Sequence, residues 1–321
     1  MLTLHFINVG DGDAILAEDR RGTRVFRMLV DTGRKDVGRT SDSPRTGVVE
    51  YLREAGADSL DALVITHLHV DHFGALPDLL EAVPVRRIYA GFFPGRPGDR
   101  AAPEPEAEKT VRGLIECLNL WSADAEIMAR TGCETVSVAQ TLENVALTGD
   151  LRADFICPSR EVNAVQRLTW DAMLENQPLP PGLKYWASKS RNPNSLRLRL
   201  TYAGRRIELA GDCYGQVWEG EELAPCDILK VPHHGDRLSL TPLLVEKLRP
   251  AHAVISCGAE YIPRKDRPSR QAAELLEARG ARVWMTDAFS APWHPPGWQR
   301  AILFQIHEDG TIQVPDPPSG G

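Results

Sequence analysis

Ala62-Leu-Val-Ile-Thr66-His67-Leu68-His69-Val70-Asp71-His72 decides how this chain is read. Ala62–Thr66 is a short apolar run that predicts a buried strand, and three histidines and an aspartate follow it within six residues. On extended backbone, side chains two positions apart point to the same side, so His67 and His69 can grip one ion together. Asp71 and His72 fall where the chain turns toward a helix and can face a second ion nearby. Nitrogen and carboxylate donors without a thiolate suit zinc, with manganese or iron as alternatives. A solvated histidine-rich loop is the competing reading, and the position of the cluster at the end of an apolar strand argues against it.

Two later segments repeat this pattern of a strand ending in ligand-type side chains. Leu209-Ala-Gly-Asp212 places an aspartate after a glycine, and Asp227-Ile-Leu-Lys-Val-Pro-His233-His234-Gly235 ends in a histidine pair. Of nine histidines in the chain, five lie in the first motif and this pair, while His5, His252, His294 and His307 stand apart and read as packed or surface residues. Asp13 in Gly10-Asp-Gly-Asp13 and Asp31 in Val30-Asp31-Thr-Gly33 also follow strands. They are expected either to hydrogen-bond the ligand side chains or to cap their own turns.

Outside these motifs, period-two runs predict strands over 2–9, 14–17 and 25–30, and later over 195–202, 206–210, 228–231, 253–256, 283–285 and 302–307. A strand is also expected over 85–90. Helical spacing appears over 47–55, 76–82, 106–129, 241–248 and 270–278. Residues 92–110 and 158–192 are rich in proline, and the second stretch also holds Trp170, Tyr185 and Trp186. It reads as a long loop, packed locally or folded over the active site as a lid. The expectation is one domain over 1–314 with an insertion or lid at about 92–190, and a disordered tail over 315–321.

The 321 residues are 42% hydrophobic and 25% charged, enough for the large core of a soluble α/β protein. No apolar run approaches the ~20 residues that span a bilayer, and Met1–Ile7 reads as a strand and not as a signal segment, so a cytoplasmic location and no membrane partner are expected. Six scattered cysteines without C-x-x-C fit a reducing compartment. The net charge of -7 disfavours a dedicated nucleic-acid binder. Local clusters such as Arg20, Arg21, Arg24 and Arg27 read as solvated faces.

In this order the motifs resemble the metallo-β-lactamase superfamily, whose signature His67-x-His69-x-Asp71-His72 matches in full. Within it the chain is similar to the soluble relatives of the ComEC competence-protein hydrolase domain and to the phosphorylcholine esterases. The likeness rests on Ile7-Asn-Val-Gly-Asp-Gly-Asp13-Ala, Leu29-Val-Asp31-Thr-Gly, Asn192-Pro-Asn194-Ser195, Ala210-Gly-Asp212 and Leu229-Lys-Val-Pro-His233-His234-Gly. It covers roughly residues 1–90 and 190–290. The resemblance implies an α/β fold, a four-layer αβ/βα sandwich with two zinc ions where the sheets meet. His67 and His69 would hold the first ion; Asp71, His72 and one of the two consecutive histidines, preferably His234, the second; Asp212 would bridge them. No histidine occurs from 73 to 232, so the first ion has one protein ligand fewer than in many superfamily hydrolases.

The expected reaction is attack of a metal-bridging hydroxide on a phosphodiester. Asp71 would orient or deprotonate the nucleophile, and His233 would protonate the leaving oxygen. Asn194 or Ser195 would hold a phosphoryl oxygen. Tyr261 and Arg267 stand where the ComEC-like branch carries an asparagine and a His-Pro pair, and are taken as further substrate contacts. Three alternatives remain at this point: hydrolysis of an ester, lactone, thioester or β-lactam in the same site, a nuclease, or a non-catalytic interaction scaffold. The sequence leaves the oligomeric state open.

Overall fold

Strand parity builds the architecture. In β1 (Leu2–Ile7) the side chains of Leu2, Leu4 and Phe6 face one core while Ile7 faces another. The same division recurs in β3 (Arg24–Val30), β4 (Ala62–Ile65) and β5 (Arg87–Ala90): Met28, Val30, Ala62, Val64 and Tyr89 point one way, Leu29, Leu63, Ile65 and Ile88 the other. Strands buried on both faces read as continuous apolar runs, which is why Ala62–Ile65 shows no alternation.

The computed structural model describes residues 1–40, 43–258, 266–287, 291, 293–294 and 299–315. An eight-stranded sheet runs β15-β14-β1-β2-β3-β4-β5-β6, with β2 at Ile15–Arg21, β6 at Glu134–Ser137, β14 at Ala301–Ile306 and β15 at Ile312–Gln313. A seven-stranded sheet runs β13-β12-β11-β10-β9-β8-β7. Its strands are β7 (Leu142–Ala146), β8 (Arg152–Ile156), β9 (Arg197–Tyr202), β10 (Arg205–Leu209), β11 (Ile228–Lys230), β12 (His252–Ile255) and β13 (Arg282–Met285).

Three apolar clusters separate four layers. The middle cluster fills the space between the sheets, with Phe6, Met28 and Phe304 from one and Phe155, Leu198, Leu200 and Ile207 from the other. The second cluster lies between the first sheet and helices α1 (Val48–Glu54), α3 (Leu76–Ala82), α4 (Lys109–Thr131) and α5 (Arg160–Leu174), and includes Trp121 and Trp170. The third lies under α7 (Gly215–Trp218), α8 (Pro242–Leu248) and α9 (Arg270–Glu277) on the far side of the second sheet. This is the expected αβ/βα sandwich. Arg197, which sequence alternation would turn to solvent, faces this third layer: it is fully buried, its guanidinium carbon 4.3 Å from the Trp218 ring centroid.

The middle of the chain departs from expectation. Residues 158–192 are not a long loop: α5 and α6 (Leu183–Lys189) occupy most of them. The prolines that suggested a loop flank these helices at 158 and 178–181. Ser159 caps α5 by accepting from the Val162 amide at 3.2 Å, and Trp170, Met173 and Leu174 bury its inner face. Residues 134–156 supply three strands that the sequence reading missed: β6 and β7 are largely exposed and carry no apolar period, and β8, though it buries Ala153, Phe155 and Ile156, is only five residues long. Residues 92–190 thus contribute edge strands to both sheets. Residues 316–321 of the expected tail lie outside the described residues.

One buried acid in α4 is set against its surroundings. Asp124 is 4% exposed, and burial, with Asp78 of α3 nearby, pushes its carboxyl up to about 8. The fold therefore favours the neutral form. Its contribution to stability is full below the ordinary carboxylate range, near pH ~4, and is lost as pH rises through about 8. Asp124→Asn is expected to raise the melting temperature at pH 9 by on the order of 2–4 °C, with the gap closing toward pH ~4. Thermal melts across this range check it; a gap independent of pH contradicts the assignment.

Candidate metal centre

The ligand-type residues converge because both sheets end on the same side. His67 follows β4, Asp31 follows β3, Asp212 follows β10, and His233 and His234 follow β11. Asp31 organises the first sheet's share. Its backbone is left-handed (φ 59), a conformation aspartate tolerates, and its side chain is wholly buried. One carboxylate oxygen accepts from the Thr66 amide at 2.8 Å; the other accepts from the Thr66 hydroxyl and lies against His72 Nδ1, both at 2.7 Å.

These contacts decide which ring nitrogen each imidazole would offer, unprotonated, to a cation. A carboxylate only accepts, so His72 carries its proton on Nδ1 and presents a bare Nε2. The Thr66 hydroxyl spends its hydrogen on Asp31, so at 3.1 Å it accepts from His67 Nδ1, which leaves His67 Nε2 bare as well. His234 Nδ1 sits 3.0 Å from the Ser256 carbonyl, so its Nε2 is also bare.

The bare nitrogens face carboxylates. His67 Nε2 is 2.9 Å from His69 Nδ1 and 3.6 Å from Asp212 Oδ2. His72 Nε2 is 3.2 Å from Asp212 Oδ1, and His234 Nε2 lies 3.5 Å from Asp71 and 3.8 Å from Asp212. Two groupings gather the expected ligands, His67-His69-Asp212 and Asp71-His72-His234, with Asp212 reaching both, and a third joins Asp13 to His72 and Asp212. His233 is in none of them: it turns outward with its side chain 15% exposed. His233 and His234 both adopt left-handed backbone, at φ 46 and φ 52, and this turn sends one imidazole inward and the next to the rim.

The donor set fits divalent cations. His72 Nε2, His234 Nε2, Asp212 Oδ1 and Asp13 Oδ1 are buried without a hydrogen-bond partner, which is costly unless a cation satisfies them. Burial holds His69 down at about 3 and His67 well below the usual imidazole range, so both stay in the neutral form that binds metals. Burial would also lower His72 and His234, yet Asp212 outweighs it, aided by Asp31 at His72 and by Asp71 at His234, and raises both. Burial would raise Asp71 and Asp212, but the neighbouring imidazoles bring both well below the carboxylate range. The carboxylates thus demand positive charge at this point.

Several contributors were not legible in the sequence. Lys230 is completely buried in β11, where its ammonium pairs with Asp13 and donates to the Gly211 carbonyl at 3.1 Å. A lysine inside an apolar strand was the signal available. Asp13 also lies 3.7 Å from His72 Nδ1 and 3.8 Å from His234 Nδ1, so it backs two imidazoles at once. Arg191 is buried and donates to the Leu68 carbonyl at 3.0 Å, tying the His67–His69 segment to the helices. Gly211 has φ 52, and a Cβ there would meet Thr66 and Ser195 Cβ atoms at 3.0 and 3.1 Å, so only glycine lets Asp212 come this close.

The expected substrate contacts divide. Ser195 is enclosed: its hydroxyl donates to the Asn192 carbonyl at 2.8 Å and accepts from the Asp212 amide at 3.2 Å, a positioning role in place of substrate contact. The Asn194 amide group is engaged by Asn163 and Gln166 of α5, at 2.8 and 3.0 Å. Tyr261 lies outside the described residues. Arg267 reaches the site's rim, 3.5 Å from His233 Nε2, with Asp11 holding its guanidinium through two contacts of 2.9 and 2.8 Å.

Asp31→Asn keeps a residue suited to φ 59 but removes the acceptor shared by Thr66 and His72. It is expected to weaken metal binding by about 10–100-fold. Competition with a chromophoric chelator measures this beside a thermal melt; unchanged metal affinity in a folded variant contradicts the role.

Comparison with known proteins agrees with this geometry. The family model for the metallo-beta-lactamase superfamily matches residues 8–111. The chain is 26% identical over 301 residues to ComE operon protein 3 of Bacillus subtilis (strain 168), covering 88% of this chain and 31% of that protein. It therefore spans about a third of that relative's length. It is 22% identical over 182 residues to hydroxyacylglutathione hydrolase of Nitrobacter hamburgensis, covering 56% of this chain and 68% of that one. Among solved structures, the metallo-beta-lactamase fold protein YhfI of Bacillus subtilis aligns with a TM-score of 0.46 and 11% identity, over 89% of this chain and 96% of that one. A diphosphatase of the PhnP family aligns with a TM-score of 0.41 and 16% identity, over 88% and 94%. The segment that matches the metallo-beta-lactamase superfamily model, residues 8–111, contains the full histidine-aspartate signature, and the likeness to that superfamily rests on it.

Proposed function

We propose that the chain is a dinuclear zinc hydrolase acting on a phosphodiester. The observation that carries this reading is the pairing, at the rim of two adjoining ligand clusters, of an imidazole outside both clusters with a guanidinium: His233 beside Arg267. His67, His69 and Asp212 would hold one ion, and Asp71, His72, His234 and Asp212 the other. Ions bound there supply Lewis acidity, activating water near neutral pH and neutralising charge on the electrophile's oxygens.

The protein's own groups supply the rest. Arg267 is held in place by Asp11, and a planar guanidinium suits phosphoryl oxygens. His233 lies 3.9 Å from Asp212, and Tyr214 stacks obliquely on its ring at 5.3 Å. That placement suits proton donation to a leaving oxygen. Asp71, with Arg34 at 3.8 Å, orients the attacking water. Cys117, Cys133, Cys157, Cys213, Cys226 and Cys257 all stand free of disulfides among the described residues, which favours a reducing compartment such as the cytoplasm. No helix among the described residues is long and apolar enough to cross a membrane.

Two variants separate the roles. His233→Gln is expected to lower kcat on bis(p-nitrophenyl) phosphate by about 10²–10⁴-fold while metal content stays at the wild-type level. Asp212→Ala is expected to lose metal and activity together. A substrate panel of the same phosphodiester, a lactone, a β-lactam and hydroxyacylglutathione, the compound named for one relative, tests the substrate class. Faster turnover of any carbonyl substrate than of the phosphodiester overturns the proposal, and near-wild-type turnover of the Asp212→Ala protein with metal retained overturns the site.

A further inference from the structure

At the end of the sandwich opposite the metal centre, the two sheets part around a cleft of about 810 Å³. The parity that sends Met28 and Phe26 of β3 toward the inter-sheet core sends Arg24 the same way, and Arg87 follows Tyr89 in β5. Arg21, at the end of β2, shares the face of Ile15 and Ala17. With Arg86, four arginines line this cleft against two aspartates, in a chain whose net charge is -7. The basic cluster that read as a solvated face thus divides: Arg21 and Arg24 line the mouth of the cleft, with Arg24 still exposed to solvent there.

The four are not equivalent. Arg21 is spoken for by Asp19 and Asp150, and Arg87 by Glu134 at 2.6 Å. Arg24 and Arg86 form no ion pair among the described residues. Both line the cleft, and Phe26, half-buried, forms part of its wall. A concavity of this size encloses a small organic ligand, and guanidinium groups gathered in a cleft act on an anion more strongly than when spread over an open surface.

The geometry points to a second binding site here, for a nucleotide-sized organic phosphate, with its phosphoryl group on Arg24 and Arg86 and its planar ring against Phe26. Guanidinium groups match phosphoryl oxygens in shape and charge, and an aromatic side chain in the wall accepts a planar ring. The site stands apart from the hydrolytic reading: β3 alone separates Arg24 from Asp31 by about 20 Å of extended strand.

The test uses the full chain treated with chelator, so that no metal centre binds phosphate. Calorimetric titration with adenosine monophosphate is expected to show one saturable site. Inorganic pyrophosphate is expected to bind more weakly, and adenosine alone not at all. Arg24→Ala with Arg86→Ala should weaken nucleotide binding by about tenfold or more, with each single change costing less, and lysine at both positions should restore part of it. Melting temperature and phosphodiester turnover of the metal-loaded double variant should match wild type. Absence of saturable binding to the wild-type chain, or unchanged affinity in the folded double variant, overturns the site. Pyrophosphate binding as tightly as the nucleotide overturns the role given to Phe26.

Discussion

The buried carboxylate of Asp31 is the contact on which the metal centre depends. It closes the end of β3 against β4 through the Thr66 amide, and by accepting from Thr66 and His72 it sets the tautomers of His72 and, through the Thr66 hydroxyl, His67. A single anion thereby aims one imidazole of each ligand cluster. Enclosing a carboxylate is costly unless each lone pair is satisfied, and here three donors converge on it. That convergence exists only because the strand register places Val30 beside Val64, so that both strands end at the same level. Register and chemistry are therefore one constraint: a slip of one residue would turn His67 away from the site and Leu63 into the wrong core.

Much of this was legible in the sequence, for a reason that also marks where legibility ends. His67, His69, Asp71 and His72 stand next to one another, so local geometry alone relates them. Asp212 and His234 could be recognised as strand-end ligand types, but which member of the histidine pair turns inward depends on two consecutive left-handed residues, and no side-chain pattern encodes those. Ser195 shows the opposite limit. Its neighbourhood suggested substrate, whereas burial commits its hydroxyl to the Asp212 amide. The helices α5 and α6 were hidden by flanking prolines, which punctuate the chain without saying what lies between them.

Lys230 extends the argument to the second sheet. An ammonium with no exposure is tolerated only when paired, and Asp13 and the Gly211 carbonyl meet it. Those partners belong to the first strand's loop and to the turn before Asp212, so the ion pair links the loop after β1 to the turn after β10 across the junction of the sheets. The Asp13 carboxylate then lies behind His72 and His234 alike. Removing either member would leave the other buried and unpaired, and would disturb both halves of the ligand set together.

The sandwich explains why, between its two sheets, polar side chains collect at the ends. In the middle, every inward-facing strand position must be apolar, because two sheets pressed together leave no room for hydration. Beyond the last paired residues the sheets diverge and the apolar requirement lapses. At the C-terminal ends of β3, β4, β10 and β11 the turns carry Asp31, His67, Asp212 and His234, of which the last three belong to groups that could hold cations. At the opposite end, where β2 finishes and β3 and β5 begin, the cleft is lined by arginines. Where the core stops requiring apolar side chains, the sandwich ends in a mouth of histidines and aspartates on one side and of arginines on the other.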